Sequence, residues 1–139
     1  MPEEIKGLEW ICYGSTTFDA IVPLYTNTDE IPVYLSGVTT DVSTENFYWA
    51  SRLLGALADP CYGACIQHIE RYQDAVMTEG RRLVLEYDRK MAESGDWTLT
   101  AEANEALCAM ARKETADTLT KVLQTSSEQM KNGYNRSDN

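Results

Sequence analysis

The side chains able to do covalent chemistry are few: Cys12, Cys61, Cys65, Cys108 and a single histidine, His68. A nucleophilic thiol needs a base within hydrogen-bond reach or a depressed pKa. Cys61 follows Pro60 near the start of a predicted helix, where the positive end of the helix dipole favours a thiolate. No Cys–His pairing stands out, however, and His68 precedes Ile69 with no partner spacing, so a surface or helix–helix position is expected for it. Cys12 falls within a strand-like run and Cys108 flanks an apolar helical face; both read as small core residues. Cys61 and Cys65 are spaced C-x3-C, which is not a usual zinc spacing, and one histidine does little to complete a four-ligand set. No metal site and no cofactor are expected. Reduced thiols in the cytoplasm are the simplest reading, and a thiol switch at Cys61 and Cys65 is a further hypothesis.

Two other features bear on function. Gly14, Ser15, Thr16 and Thr17 place three hydroxyls and a flexible glycine at the end of an apolar run. Such a link can line a pocket and hold a polar substrate terminus, or it can be an ordinary turn built of turn formers. The acidic residues Glu70, Glu79, Glu86, Asp88 and Glu93 are dispersed along one predicted helix. Nothing in their spacing marks an acid–base pair, and a solvated face explains them. The sequence has no glycine-rich phosphate loop and no nucleophile-elbow pattern.

The elements that must position these residues can be read from periodicity. Leu8 to Tyr13 and Phe18 to Tyr25 are aromatic and β-branched, which predicts two short strands forming a β-hairpin. Pro23 removes a ladder donor, so the end of the second strand should be an edge or a bend. Thr26 to Asp41 is a loop by composition, with Ile31, Val33, Tyr34 and Leu35 available to dock it. A first helix is predicted over Thr44 to Ala58, with Ser43 as N-cap and Pro60 as its stop. A second, over Ala64 to Glu93, carries an apolar stripe of Ile69, Tyr72, Val76, Gly80, Leu83, Tyr87 and Met91. The steps of three and four are helical. Gly80 on that stripe costs about 1 kcal/mol against alanine, which implies close approach of another backbone. Ser94, Gly95 and Asp96 make a turn into a third helix over Thr100 to Lys131. Its apolar side is Ala103, Leu107, Met110, Leu119, Val122 and Leu123. The short link predicts an antiparallel helical hairpin, and the polar residues 132–139 read as a disordered tail.

The fold class expected is therefore α+β: a short N-terminal β-hairpin, then three helices, the last two a long antiparallel hairpin. Residues 1–42 form the strand pair and loop, 43–131 the helical region. At 139 residues this is one structural unit. A net charge of −10 disfavours a nucleic-acid partner and an anionic membrane surface. No run approaches the roughly 20 apolar residues of a membrane span, and the start, MPEEIKGLEW, lacks the apolar core of a signal peptide. A cytoplasmic location is expected.

WICYGSTTFDAIVPLYTN, then IPVYL, then STENFYWASRLLGALAD together resemble the C-terminal region of the broad-specificity bacterial cysteine dipeptidases of the dipeptidase A type. IERYQDAVMTEGRRLVLEYDRKM is similar to the long helix that follows in those enzymes. The likeness covers about residues 8 to 93. It implies membership of the N-terminal-nucleophile hydrolase superfamily, an αββα sandwich, and hydrolysis of dipeptides by a cysteine whose own α-amino group acts as base. None of the four cysteines matches that nucleophile, since the chain opens Met1-Pro2-Glu3. The resemblance thus implies a C-terminal fragment, inactive alone, whose partners are the remainder of the dipeptidase chain and a short peptide substrate, with homo-oligomerisation possible. In that frame Gly14, Ser15, Thr16 and Thr17 become candidate substrate-binding wall residues. The alternative is a non-catalytic helical module for interaction or oligomerisation, because an isolated two-stranded hairpin is marginal and offers edges.

Overall fold

The computed structural model describes residues 8–11, 20–26, 32–35, 43–96 and 98–137. The chain is mostly helical. Strand β1 (Leu8–Ile11) pairs antiparallel with β2 (Val22–Tyr25), with Leu8 opposite Tyr25 and Trp10 opposite Pro23. Helix α1 (Phe47–Ala58) leads through a 3-10 turn (Asp59–Cys61) into α2 (Tyr62–Ser94), and α3 (Leu99–Ser137) returns alongside α2.

Although the described sheet has two strands, every residue of β2 is buried. Alternate side chains along a strand point to opposite faces. Val22 and Leu24 enter a main core with Tyr34, Leu35, Phe47, Leu54, Ile69, Tyr72 and Val76. Tyr25 instead joins a second core with Val84, Tyr87, Met91, Ala103 and Leu107. Strand β2 thus packs against the α2–α3 hairpin and contributes to both cores. Pro23 lies opposite Trp10 without loss of a ladder bond. The N–H and C=O of Tyr25 are turned to Asn104 on α3, so Tyr25 and, two residues away, Pro23 direct their backbone polar groups away from β1. The donor that proline lacks falls on the outer side, as expected for an edge position.

Helix α2 follows its predicted stripe with one exchange. Ile69, Tyr72, Val76, Gly80, Tyr87 and Met91 are buried, but Val84 takes the place expected for Leu83, which is only partly buried. A step of four from Gly80 to Val84 and three to Tyr87 keeps the stripe facing α3. Gly80 does mark a close approach, but the neighbour is a ring and not a backbone. A Cβ there would sit 3.0 Å from Pro23 Cδ and 3.2 Å from Pro23 Cγ. The bare Cα of Gly80 is what lets β2 lie against α2.

The start of α1 departs from the sequence expectation. The cap is Asn46, not Ser43: the Asn46 side chain accepts from Trp49 N–H at 3.2 Å. Ser43 Oγ instead accepts from Glu45 N–H at 3.1 Å in a local turn before the helix. Phe47 anchors the choice, fully buried with its ring centroid 5.8 Å from that of Tyr34. Pro60 does not separate α1 from α2 by a loop; it sits in the 3-10 turn, where its missing N–H has no required partner. Gly95 ends α2 in the left-handed conformation, φ 70°, with its N–H bonded to Met91 C=O, the geometry for which glycine has no Cβ penalty. Helix α3 runs to Ser137, beyond the Lys131 limit read from composition. Extending an existing helix adds a hydrogen bond for each residue ordered, and only Gly133 in that stretch opposes it strongly. On α3 the expected apolar residues Ala103, Leu107 and Val122 are buried, Met110 and Leu119 partly so, and Leu123 is half exposed; Cys108 and Ala111 complete the buried face.

Candidate functional site

The four residues of the hydroxyl-rich link, Gly14 to Thr17, and Cys12 lie outside the described residues. The polar groups that the described fold does organise fall into four places.

The first is the strand–helix junction at Tyr25. Asn104 presents its carboxamide like a neighbouring strand: Oδ1 accepts from Tyr25 N–H and Nδ2 donates to Tyr25 C=O, both at 2.8 Å. The Tyr25 hydroxyl donates to Asp88 at 2.7 Å and toward Val84 C=O at 3.2 Å. Burial, then the Asp88 carboxylate, raises the phenol pKa well above its ordinary value. This is a structural lock. A phenol held neutral against a carboxylate supplies no base.

The second is a cleft of about 240 Å³ between Tyr34, the turn before α1 and the middle of α3, lined also by Glu45, Arg112, Thr115 and Thr120. Arg112 pairs with Glu45 at its mouth and lies over the Tyr34 ring, 5.6 Å from the centroid. Thr115 is buried and shares a 2.9 Å hydrogen bond with the Tyr72 hydroxyl. Burial raises the Tyr34 pKa, against the opposing effect of Thr115 and Arg112. The cleft offers one cation and several hydroxyls, and the cation is already neutralised by Glu45.

The third is the crossing of α2 and α3 at His68, whose Nε2 is 3.4 Å from Thr125 Oγ1. Of the surface or helix–helix position expected for this histidine, the structure shows the second. Its Nδ1 is buried without a hydrogen-bond partner, and no hydrogen bond joins it to a thiol among the described residues. The fourth is the thiol pair. Cys61 Sγ lies 2.8 Å from Cys65 Sγ, at the start of α2. Cys108 is buried in the main core, as expected. Among the described residues no group of three or more His, Cys, Asp or Glu side chains is placed to hold a metal ion, and no helix is long and apolar enough to cross a membrane.

None of the four places sets a nucleophile against a base. Sequence reading missed Asn104 and Thr115, and a signal existed for both. Each is a polar residue at helical spacing within a buried face, Asn104 beside Ala103 and Thr115 four after Ala111. Such residues are retained inside only with partners.

Comparison with known proteins adds what the geometry lacks. The family model described as peptidase family C69 matches residues 1–75. A dipeptidase of Bifidobacterium longum is 31% identical over an alignment covering 99% of this chain and 33% of that protein. A probable dipeptidase A of Streptococcus pyogenes is 34% identical, again over 99% of this chain and 29% of its own length. A probable dipeptidase B of Lactococcus lactis is 24% identical over the same share. The chain spans about a third of the length of these relatives.

Proposed function

Since the chain belongs to peptidase family C69, we propose that it is the C-terminal part of a dipeptidase that hydrolyses the amide bond of dipeptides. The observation that carries this reading is the 31–34% identity, over 99% of the chain, to proteins named as dipeptidases. The nucleophile is a cysteine outside these residues, exposed as an N-terminal residue with its own α-amino group as base, and the intermediate is a thioester. Cys61, Cys65 and Cys108 are poor candidates for that role: two are buried, and among the described residues Cys61 has hydrogen-bonding neighbours only in the Cys65 thiol and the Leu57 carbonyl.

In this reading β1 and β2 belong to one sheet of an αββα sandwich, and the helices are an appendage packed on it. Gly14, Ser15, Thr16 and Thr17, in the connection between β1 and β2, form part of the wall of the substrate pocket. The partners are the rest of the peptidase and a short peptide, and the compartment is the cytoplasm. No cofactor takes part.

A dipeptide panel assayed with this chain alone, and with protein extended to the length of its relatives, tests the reading. Thiol-dependent turnover is expected from the longer protein only. Turnover by the chain alone would overturn the assignment of the nucleophile. In the longer protein, Ser15→Ala with Thr16→Ala should raise KM more than it lowers kcat.

A further inference from the structure

The Cys61–Cys65 pair is independent of that reading. Cys65 belongs to the main core and Cys61 packs against it, but packing alone does not require their sulfurs to meet. The two sulfurs are 2.8 Å apart, closer than two sulfurs need to be to fill a core. Their environments differ. Cys65 is fully buried, while Cys61 is only partly buried. The Cys61 thiol lies 3.3 Å from Leu57 C=O, the last turn of α1, and it occupies the cap position of the 33-residue helix α2. Its backbone, φ −123° and ψ 42°, is outside the helical conformation.

We propose that Cys61 and Cys65 form a dithiol–disulfide site, in which Cys61 exchanges with a low-molecular-weight disulfide and Cys65 resolves the product. Two observations assign the roles. Access favours Cys61, since an external disulfide must reach the attacked or attacking sulfur. Cys65 is held protonated: burial first, and then its hydrogen bond to Cys61, raise its pKa to about 12. A buried, protonated thiol does not react first, but it is positioned to react second.

Residues four apart on a helix rise by about 6 Å, within the Cα separation that a disulfide tolerates. Their Cβ atoms are normally about 5–6 Å apart, more than the roughly 4 Å of a disulfide. Closure therefore needs the first of the two residues to move. Cys61 can do so without breaking α2, because it precedes the helix and belongs to the 3-10 turn.

The exchange balances as follows. Cys61 gives its proton to solvent, and its thiolate attacks one sulfur of the small disulfide. That S–S bond breaks, and one small thiolate leaves and is protonated. Cys65 then loses its proton to solvent and attacks the Cys61 sulfur, and the second small thiolate leaves and is protonated. Two protein thiols are oxidised, and one small disulfide is reduced to two thiols.

Oxidised glutathione is the probe. The native chain is incubated with it, quenched with alkylating agent and mapped by tryptic mass spectrometry. The peptide Leu53–Arg71 carries both cysteines, with cleavage sites after Arg52 and Arg71. The expected product is that peptide with two hydrogens lost and no alkyl group. Cys65→Ser should stall as a stable glutathione adduct on Cys61, and Cys61→Ser should leave Cys65 unmodified. Equal adduct formation at Cys65 in the Cys61→Ser protein, or two free thiols in the native chain, overturns the proposal. Far-UV dichroism of each variant shows that it is folded. Should either variant fail that check, binding of one equivalent of phenylarsine oxide by the unsubstituted chain decides, since a trivalent arsenical is held by two adjacent thiols; no binding overturns the site.

Discussion

At the scale of single residues, Asn104 does the work of a missing strand. It is fully buried, and its two bonds to Tyr25 satisfy the outer N–H and C=O of β2. Asn104→Ala leaves both backbone groups unpaired, at about 1–3 kcal/mol for each buried group left unsatisfied. A loss of about 2–6 kcal/mol is therefore expected from urea denaturation; a loss below about 0.5 kcal/mol, the usual range of surface changes, would show that the clamp does not form. The partnership was not legible beforehand. A polar residue within the apolar face of α3 was visible, but its partner is 79 positions away in sequence. The hydroxyl-rich link was legible in the sequence; the described residues stop short of it.

At the scale of elements, the segment Ser43-Thr44-Glu45-Asn46 contains two good caps for one helix. Ser and Asn have nearly equal intrinsic preference at that position, so local rules could not choose between them. Burial of Phe47 against Tyr34 sets where the helical backbone begins, and the residue before it becomes the cap. Asn46→Ala should cost about 1 kcal/mol, while Ser43→Ala should stay within about 0.5 kcal/mol as a surface change. Paired denaturation curves test this, and the reverse order of effects would restore Ser43 as the cap. The long helix α2 was far easier to read, because a stripe sustained over many turns averages out individual exceptions such as Leu83 and Val84.

For the whole molecule, the buried acids give stability a pH limit. Burial first, and then Glu105, raise the Cys108 pKa from 9.0 to about 11. Burial first, and then Cys61, raise that of Cys65. Burial and Asp88 do the same for Tyr25. In each case the unfolded chain releases its proton at lower pH than the folded one. Above the unfolded pKa the unfolded state therefore binds fewer protons, and stability falls as pH rises. Below it the contribution is fully present. For Cys108 the loss runs from pH 9.0 to about 11. The thermal midpoint should hold steady up to that window and drop through it, and Cys108→Ala should shallow the drop. A midpoint that is constant through the window would contradict the burial of these groups.

What the amino-acid sequence determined by itself was local and periodic: the helical stripe of α2, the Gly95 turn, two short apolar strands, and a family likeness carried by residue order. These depend on neighbours within a few positions, where 3.6-residue and two-residue periods and backbone sterics decide. Only the tertiary structure decided which side chains meet. Pro23 reaches Gly80, Tyr25 reaches Asn104 and Asp88, and Tyr72 reaches Thr115. Those contacts come from packing β2 into the α2–α3 hairpin. Space and unsatisfied hydrogen bonds select such partners, and neither is written in the spacing along the chain.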